Sequence, residues 1–207
     1  AVTKYSGSQV ITVDSVSPGS YRLRETSRGQ GIETYNMHNS TNFASATDFT
    51  NSTSLWNTTT NYDNAAYDVH WGLQSTYDYY FNLHNRNSVD NLGMKLTSYV
   101  HYGAPGTFEA SHISSGEFAF NDGTNAAGGY KPYTSLDICA HEYTHGVTEF
   151  SAELHYGSES GALNESFSDI FSACVEFYKK PGTANYLLGD EVGVTPGTYF
   201  RNMGNPN

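Results

Sequence analysis

Basic residues are scarce. The chain of 207 residues carries 10 Lys and Arg against 21 Asp and Glu, a formal net charge of −11. Neutralising phosphates takes clustered cations, and no basic patch is visible, so nucleic acid is excluded as a partner. Long apolar runs are missing as well. None approaches bilayer-spanning length, which excludes the membrane as a partner. The two cysteines, Cys139 and Cys174, cannot build a disulfide framework. There is no internal repeat, and Ala1 opens the chain without an initiator Met or a signal-like segment, as in a processed mature product. Charged residues make up only 15%, while Ser, Thr, Asn and Gly abound, giving a neutral-polar surface unlike the charge-dense surface of many cytosolic proteins.

What is present suffices for a core. A hydrophobic fraction of 37% over this length fits one large domain or two modest ones. Residues 1 to about 60 read as β-rich: "SQVITVD" and "SYRLRET" alternate between Gly-Ser and Pro-Gly punctuation. The tract "NSTNFASATDFTNSTSLWNTTTNYD" reads as loops and short strands. Over about 64–85, Ala66, Val69, Leu73, Tyr77 and Tyr80 recur at helical spacing. "GMKLTSYVHYG" is a strand candidate and "GEFAFNDGTNAAGGY" a Gly-rich hairpin or edge region. Ser135 caps an expected helix over roughly 136–152. A second helix runs from near Ser160 to Lys180, where Pro181 and Gly182 stop it. The expectation is an α+β protein: a β-rich N-terminal domain at 1–134 with one long helix, then two antiparallel helices opening a second domain at 135–207.

The chemistry concentrates in "DICAHEYTHGVTEF", residues 137–150. At about 100° per residue, positions four apart lie some 40° apart on a helix, so His141 and His145 share a face and can grip one ion. Glu142 is turned about 100° from His141, free to lean over the open side of a metal as general base. Two helical histidines alone are a weak signal, but "GALNESFSDIFSACVEF" adds to it. Glu165 can supply a third ligand across a helical hairpin, leaving an open fourth zinc position. Asp169, one turn on, can accept the free ring N–H of a ligating histidine. Asp137 and Glu176 meet at the far end of the helix pair. With Asp190 and Asn185 they form either an oxygen cage for calcium or a set of solvated acids. Cys139 and Cys174 face away from the helix interface and read as small buried hydrophobes.

"HEYTH" followed by "GALNESFSDIF" resembles the thermolysin-like zinc metallopeptidases. The similarity extends back through "YDYYFNLHNRNSVD" and "SYVHYG" and forward to "FRNMGNPN", covering roughly residues 60–207. The resemblance implies a secreted zinc endopeptidase. It makes His141, His145 and Glu165 the zinc ligands, Glu142 the base, Asp169 the carboxylate orienting His141 and Asn164 its neighbour. Tyr156 would stabilise the tetrahedral oxyanion and Arg201 bind the substrate carbonyl. Ala119 would lie on a substrate-binding edge strand. Ile138, Leu188, Val192 and Phe200 would form an apolar pocket for a large residue after the scissile bond. Asp137, Glu176, Asn185, Leu187 and Asp190 match positions around a calcium site, Leu187 through its backbone carbonyl.

The chain departs from that pattern in three places. The family's helical C-terminal domain is expected to be mostly absent, along with its oxyanion-donating histidine, so a C-terminal helical fragment is expected as a second chain. Phe118 stands where the family places a substrate-holding asparagine, and Leu187 stands where some members carry a calcium-binding acid. Two other readings compete with the peptidase: a non-catalytic zinc-bearing module, and an adhesive or carbohydrate-binding surface in residues 1–60. The first has no need of Glu142.

Overall fold

The computed structural model describes residues 1–205; Pro206 and Asn207, which end the "FRNMGNPN" match, lie outside the described residues. Along the chain come β1 (Asp14–Ser17), β2 (Ser20–Arg22), β3 (Arg24–Glu25), β4 (Ile32–Asn36), β5 (Thr47–Asp48) and β6 (Thr50–Asn51). After them follow α1 (Asp63–His84), β7 (Leu96–Val100), β8 (Ala110–Ser114), β9 (Glu117–Phe120), α2 (Leu136–Glu149), α3 (Ser158–Lys179), β10 (Leu187–Leu188) and β11 (Arg201–Asn202). The architecture is α+β. No helix among the described residues is long and apolar enough to cross a membrane.

The main sheet has the order β3-β4-β7-β9-β8, with β5 also pairing to β4. β4, β7 and β9 run parallel, Ile32 opposite Leu96 and Tyr99 opposite Ala119. Parallel neighbours need a crossover, and α1 supplies it between β4 and β7. That explains why α1 is buried on nearly every side from Ala65 to Tyr77. Gly72 lets α2 come close: a Cβ there would sit 2.9 Å from that of Cys139. Behind the sheet, Tyr80, Tyr143 and Phe118 stack in sequence at 5.5 and 6.3 Å, tying α1, α2 and β9 into one core.

β8 is the free edge of the sheet, and α2 lies along it. Its hairpin to β9 turns at Ser115 and Gly116, so β9 is an interior strand. This corrects the expectation for "GEFAFNDG". Phe118 and Ala119 are fully buried in the sheet, and Ala119 cannot reach a substrate.

Other differences have local causes. In "SQVITVD" only Asp14 enters a named strand, because side chains of α1 take the backbone groups just before it. Gln74 accepts from the Thr12 N–H at 3.2 Å and donates to its carbonyl at 2.9 Å. α2 stops at Glu149 because the N–H groups of Ser151, Ala152 and Glu153 all converge on the Thr148 carbonyl. Ser135 takes the extended N-cap backbone, but its hydroxyl makes no capping bond. Both cysteines are free; Cys139 is buried as expected, and Cys174 is exposed.

Candidate metal centre and substrate cleft

Four-residue spacing on α2 and an antiparallel α3 bring three donors to one point. His141 Nε2 lies 2.9 Å from His145 Nε2 and 3.2 Å from Glu165 Oε2; His145 Nε2 lies 3.6 Å from Glu165 Oε1. Among the described residues, no other group of three or more His, Cys, Asp or Glu brings its ligand atoms within 4.8 Å of one another. Two imidazole nitrogens aimed at each other beside a carboxylate are a donor set in need of a cation. Borderline nitrogen and oxygen donors, three in number, suit zinc with an open position.

Each histidine is held from behind. His145 Nδ1 is 2.7 Å from Asn164 Oδ1 and 3.1 Å from Ser168 Oγ, so an Nδ1–H donated to the amide oxygen leaves Nε2 free to ligate. Asn164 is itself fixed by donating to the Leu154 carbonyl at 3.1 Å. On the other ring, Nδ1 of His141 lies 2.9 Å from Asp169 Oδ1, close but out of line for a hydrogen bond. Asp169 is clamped in turn by Arg201, whose Nε and a terminal nitrogen donate to its two oxygens at 2.6 and 2.8 Å. Burial pushes the Asp169 carboxyl up, but the closeness of His141 and the two bonds from Arg201 outweigh it and hold the pKa below the usual range.

The centre opens into a cleft of about 1280 Å³ between β8, α2 and the β10–β11 region. Glu142 is buried in its wall, and its Oε2 accepts the His112 N–H of β8 at 2.7 Å. Desolvation raises its pKa against the pull of His141 and His145, which favours a group that must take up a proton near neutral pH. Tyr156 is exposed on the α2–α3 loop, its ring edge-on to His145 at 5.7 Å between centroids. Ile138, Leu188 and Phe200 line one end together with Tyr130 and Tyr133. Val192 is fully buried behind that wall and does not reach the cleft, a correction to the expected pocket.

Sequence reasoning missed Ser168 and the true edge strand, Ala110–Ser114, whose residues line the cleft. The signal for the strand was there: two alternating runs flank the Ser115-Gly116 turn, and either could have been the edge.

With this geometry in hand, comparison with known proteins is decisive. The family model described as the thermolysin metallopeptidase catalytic domain matches residues 1–149, and that described as the thermolysin metallopeptidase alpha-helical domain matches residues 152–207. The chain belongs to the thermolysin metallopeptidase family. A bacillolysin of Brevibacillus brevis is 41% identical over 180 residues, covering 86% of this chain and 31% of that protein. A transglutaminase-activating metalloprotease of Streptomyces mobaraensis is 38% identical over 211 residues, 99% of this chain and 27% of that one. Among solved structures, a precursor of protealysin, the metalloproteinase from Serratia proteamaculans, aligns with a TM-score of 0.67 at 32% identity, over 78% of this chain and 48% of that one. The chain thus spans about a third of the length of the curated relatives it matches. The second family match also corrects the expectation that the alpha-helical domain is mostly absent, since residues 152–207 are matched to it.

Calcium is a poorer fit to this thermolysin-family chain than zinc. Asp137, Glu176, Asn185, Leu187 and Asp190 lie around the α2 start and α3 end, but Asp137, Glu176 and Asp190 do not bring three carboxylate oxygens within 4.8 Å of one another. Asp137 is already taken by the N–H groups of Ile138 at 2.9 Å and Gly189 at 2.5 Å. The Asn185 amide nitrogen donates to Asp190 at 2.9 Å. No three of the acids meet the shared-ion spacing of the zinc triad.

Proposed function

We propose that this chain carries the catalytic centre of a secreted zinc endopeptidase. The supporting observation is the convergence of His141, His145 and Glu165, with both imidazoles oriented from behind and the non-ligating Glu142 buried beside them. Zinc held there would supply Lewis-acid polarisation of a peptide carbonyl and ease deprotonation of water.

The remaining work falls to protein groups. An extended peptide adds to the free edge of β8 by main-chain pairing, which sets its register across the cleft. A large apolar side chain following the scissile bond enters between Ile138, Leu188 and Phe200. Glu142 accepts a proton from the attacking water and returns it to the leaving amine. Its Oε2 is engaged by the His112 N–H, which leaves Oε1 for that transfer. The Tyr156 phenol donates to the developing oxyanion, and Arg201 orients both Asp169 and the substrate carbonyl.

A helical partner segment completes the site in this reading. Leu163, Phe167, Ile170 and Phe177 form an exposed apolar stripe along α3, on the side away from α2. A further amphipathic helical segment on a second chain would cover that stripe and wall the cleft opposite β8.

The test is Glu142→Gln. The amide keeps an oxygen for the His112 N–H but cannot take a proton. Hydrolysis of a peptide with Leu or Phe after the scissile bond should fall at least about 100-fold while zinc content stays unchanged. Undiminished hydrolysis by the variant would falsify the assignment of Glu142.

A further inference from the structure

Four carboxylates gather where α2 begins and α3 ends: Asp137, Glu176, Asp190 and Glu191. Asp137 and Glu176 are buried, so their mutual repulsion is poorly screened by water and calls for a positive charge. One side chain enters the group. Lys180, the first residue beyond α3, sets its Nζ 2.7 Å from Glu191 Oε1 and 3.7 Å from Glu176 Oε1, with only 12% of its side chain exposed.

We propose that the Lys180 ammonium is the resident cation of this cluster, and that the junction of α2, α3 and β10 is held without calcium. Three observations support it. Calcium takes six to eight oxygens at about 2.3–2.6 Å, whereas no three of these acids bring ligand atoms within 4.8 Å of one another. Asn185 turns an N–H rather than an oxygen toward Asp190. Asp137, the most deeply placed acid, is satisfied by the Ile138 and Gly189 N–H groups.

An ammonium suits the remaining geometry, because it binds through separate donors and needs no closed shell of oxygens. Its position at the C-cap of α3 also sets it against the negative end of the helix dipole. One charge goes further than the formal count of acids suggests. Burial, reinforced by Asp137, pushes the Glu176 pKa up to about 7, so that carboxyl is half protonated near neutrality.

The experiment is thermal unfolding of the zinc-loaded protein as calcium is raised from none to roughly 10 mM, above the 10⁻⁴–10⁻³ M dissociation constants of weak extracellular sites. Elemental analysis of the dialysed samples accompanies it. Wild type should melt at the same temperature throughout and retain no stoichiometric calcium. A rise of several degrees, or one calcium kept per chain, would overturn the proposal. Lys180→Met should melt roughly 5–10 °C lower in calcium-free buffer and recover part of the loss as calcium is added. A Lys180→Met protein as stable as wild type would also overturn it. If that variant does not fold, the wild-type titration decides alone.

Discussion

Arg201 and Asp169 are joined by two parallel hydrogen bonds, and the same carboxylate stands behind the imidazole of His141. A residue expected mainly to meet substrate is thus tied to the metal centre as well. Asp169→Asn should weaken zinc retention roughly 10- to 100-fold. Arg201→Ala should weaken it by less and lower kcat/KM in addition. Arg201→Lys should not restore wild-type behaviour, because one ammonium cannot reproduce the two-pronged contact. Competition with a zinc chelator, alongside peptide hydrolysis, separates the two effects.

Gly189 shapes the apolar end of the cleft. Its φ of +75° favours glycine, and a Cβ there would run into the Phe200 ring. Gly189→Ala should displace Phe200 and lower kcat/KM for peptides with Leu or Phe after the scissile bond by roughly 10-fold. Zinc content should not change. Comparing these peptides with an Ala-bearing analogue checks that the loss belongs to the pocket.

His70 predicts acid sensitivity. It is fully buried between Thr34 Oγ1 at its Nδ1 and the Thr12 carbonyl at its Nε2, both at 2.9 Å. Burial lowers its pKa from 6.5 to about 4, against the raising effect of the Thr12 carbonyl. Between those values the unfolded chain binds a proton that the folded protein refuses. The stabilisation is therefore complete above pH 6.5 and is lost as pH falls towards 4, on the order of 3 kcal/mol in all. His70→Gln should be less stable at neutral pH but lose less on acidification. Denaturant titrations from pH 7 to 4 measure both slopes. His112, lowered to about 4 chiefly by burial, contributes to what remains in the variant.

The metal-site geometry was readable because it rests on a local rule. His141, His145, Glu165 and Asp169 lie on two helices, and helical periodicity alone decides which face each occupies. The long helix α1 was legible for the same reason. Ala119 was misplaced because the hairpin offers two alternating strands, and only the remote pairing of β9 with β7 decides which one lies inside. Val192 failed likewise: its apolar character was plain, but its side of the wall depends on how the chain returns from α3. Lys180 reads in the sequence as a helix stop. Its ammonium acquires a second role only when Glu191, 11 residues on, is folded back beside it. In "SQVITVD" the alternation is real, but Gln74 and His70 claim the Thr12 carbonyl, a tertiary contact that overrides the strand pattern.

The most direct test is the zinc content of three proteins prepared identically: wild type, His145→Ala and Glu142→Gln. Elemental analysis after exhaustive dialysis should find one zinc per chain in wild type and in Glu142→Gln, and almost none in His145→Ala. Full zinc retention by His145→Ala, or a zinc-free wild type after metal-replete preparation, would contradict the account.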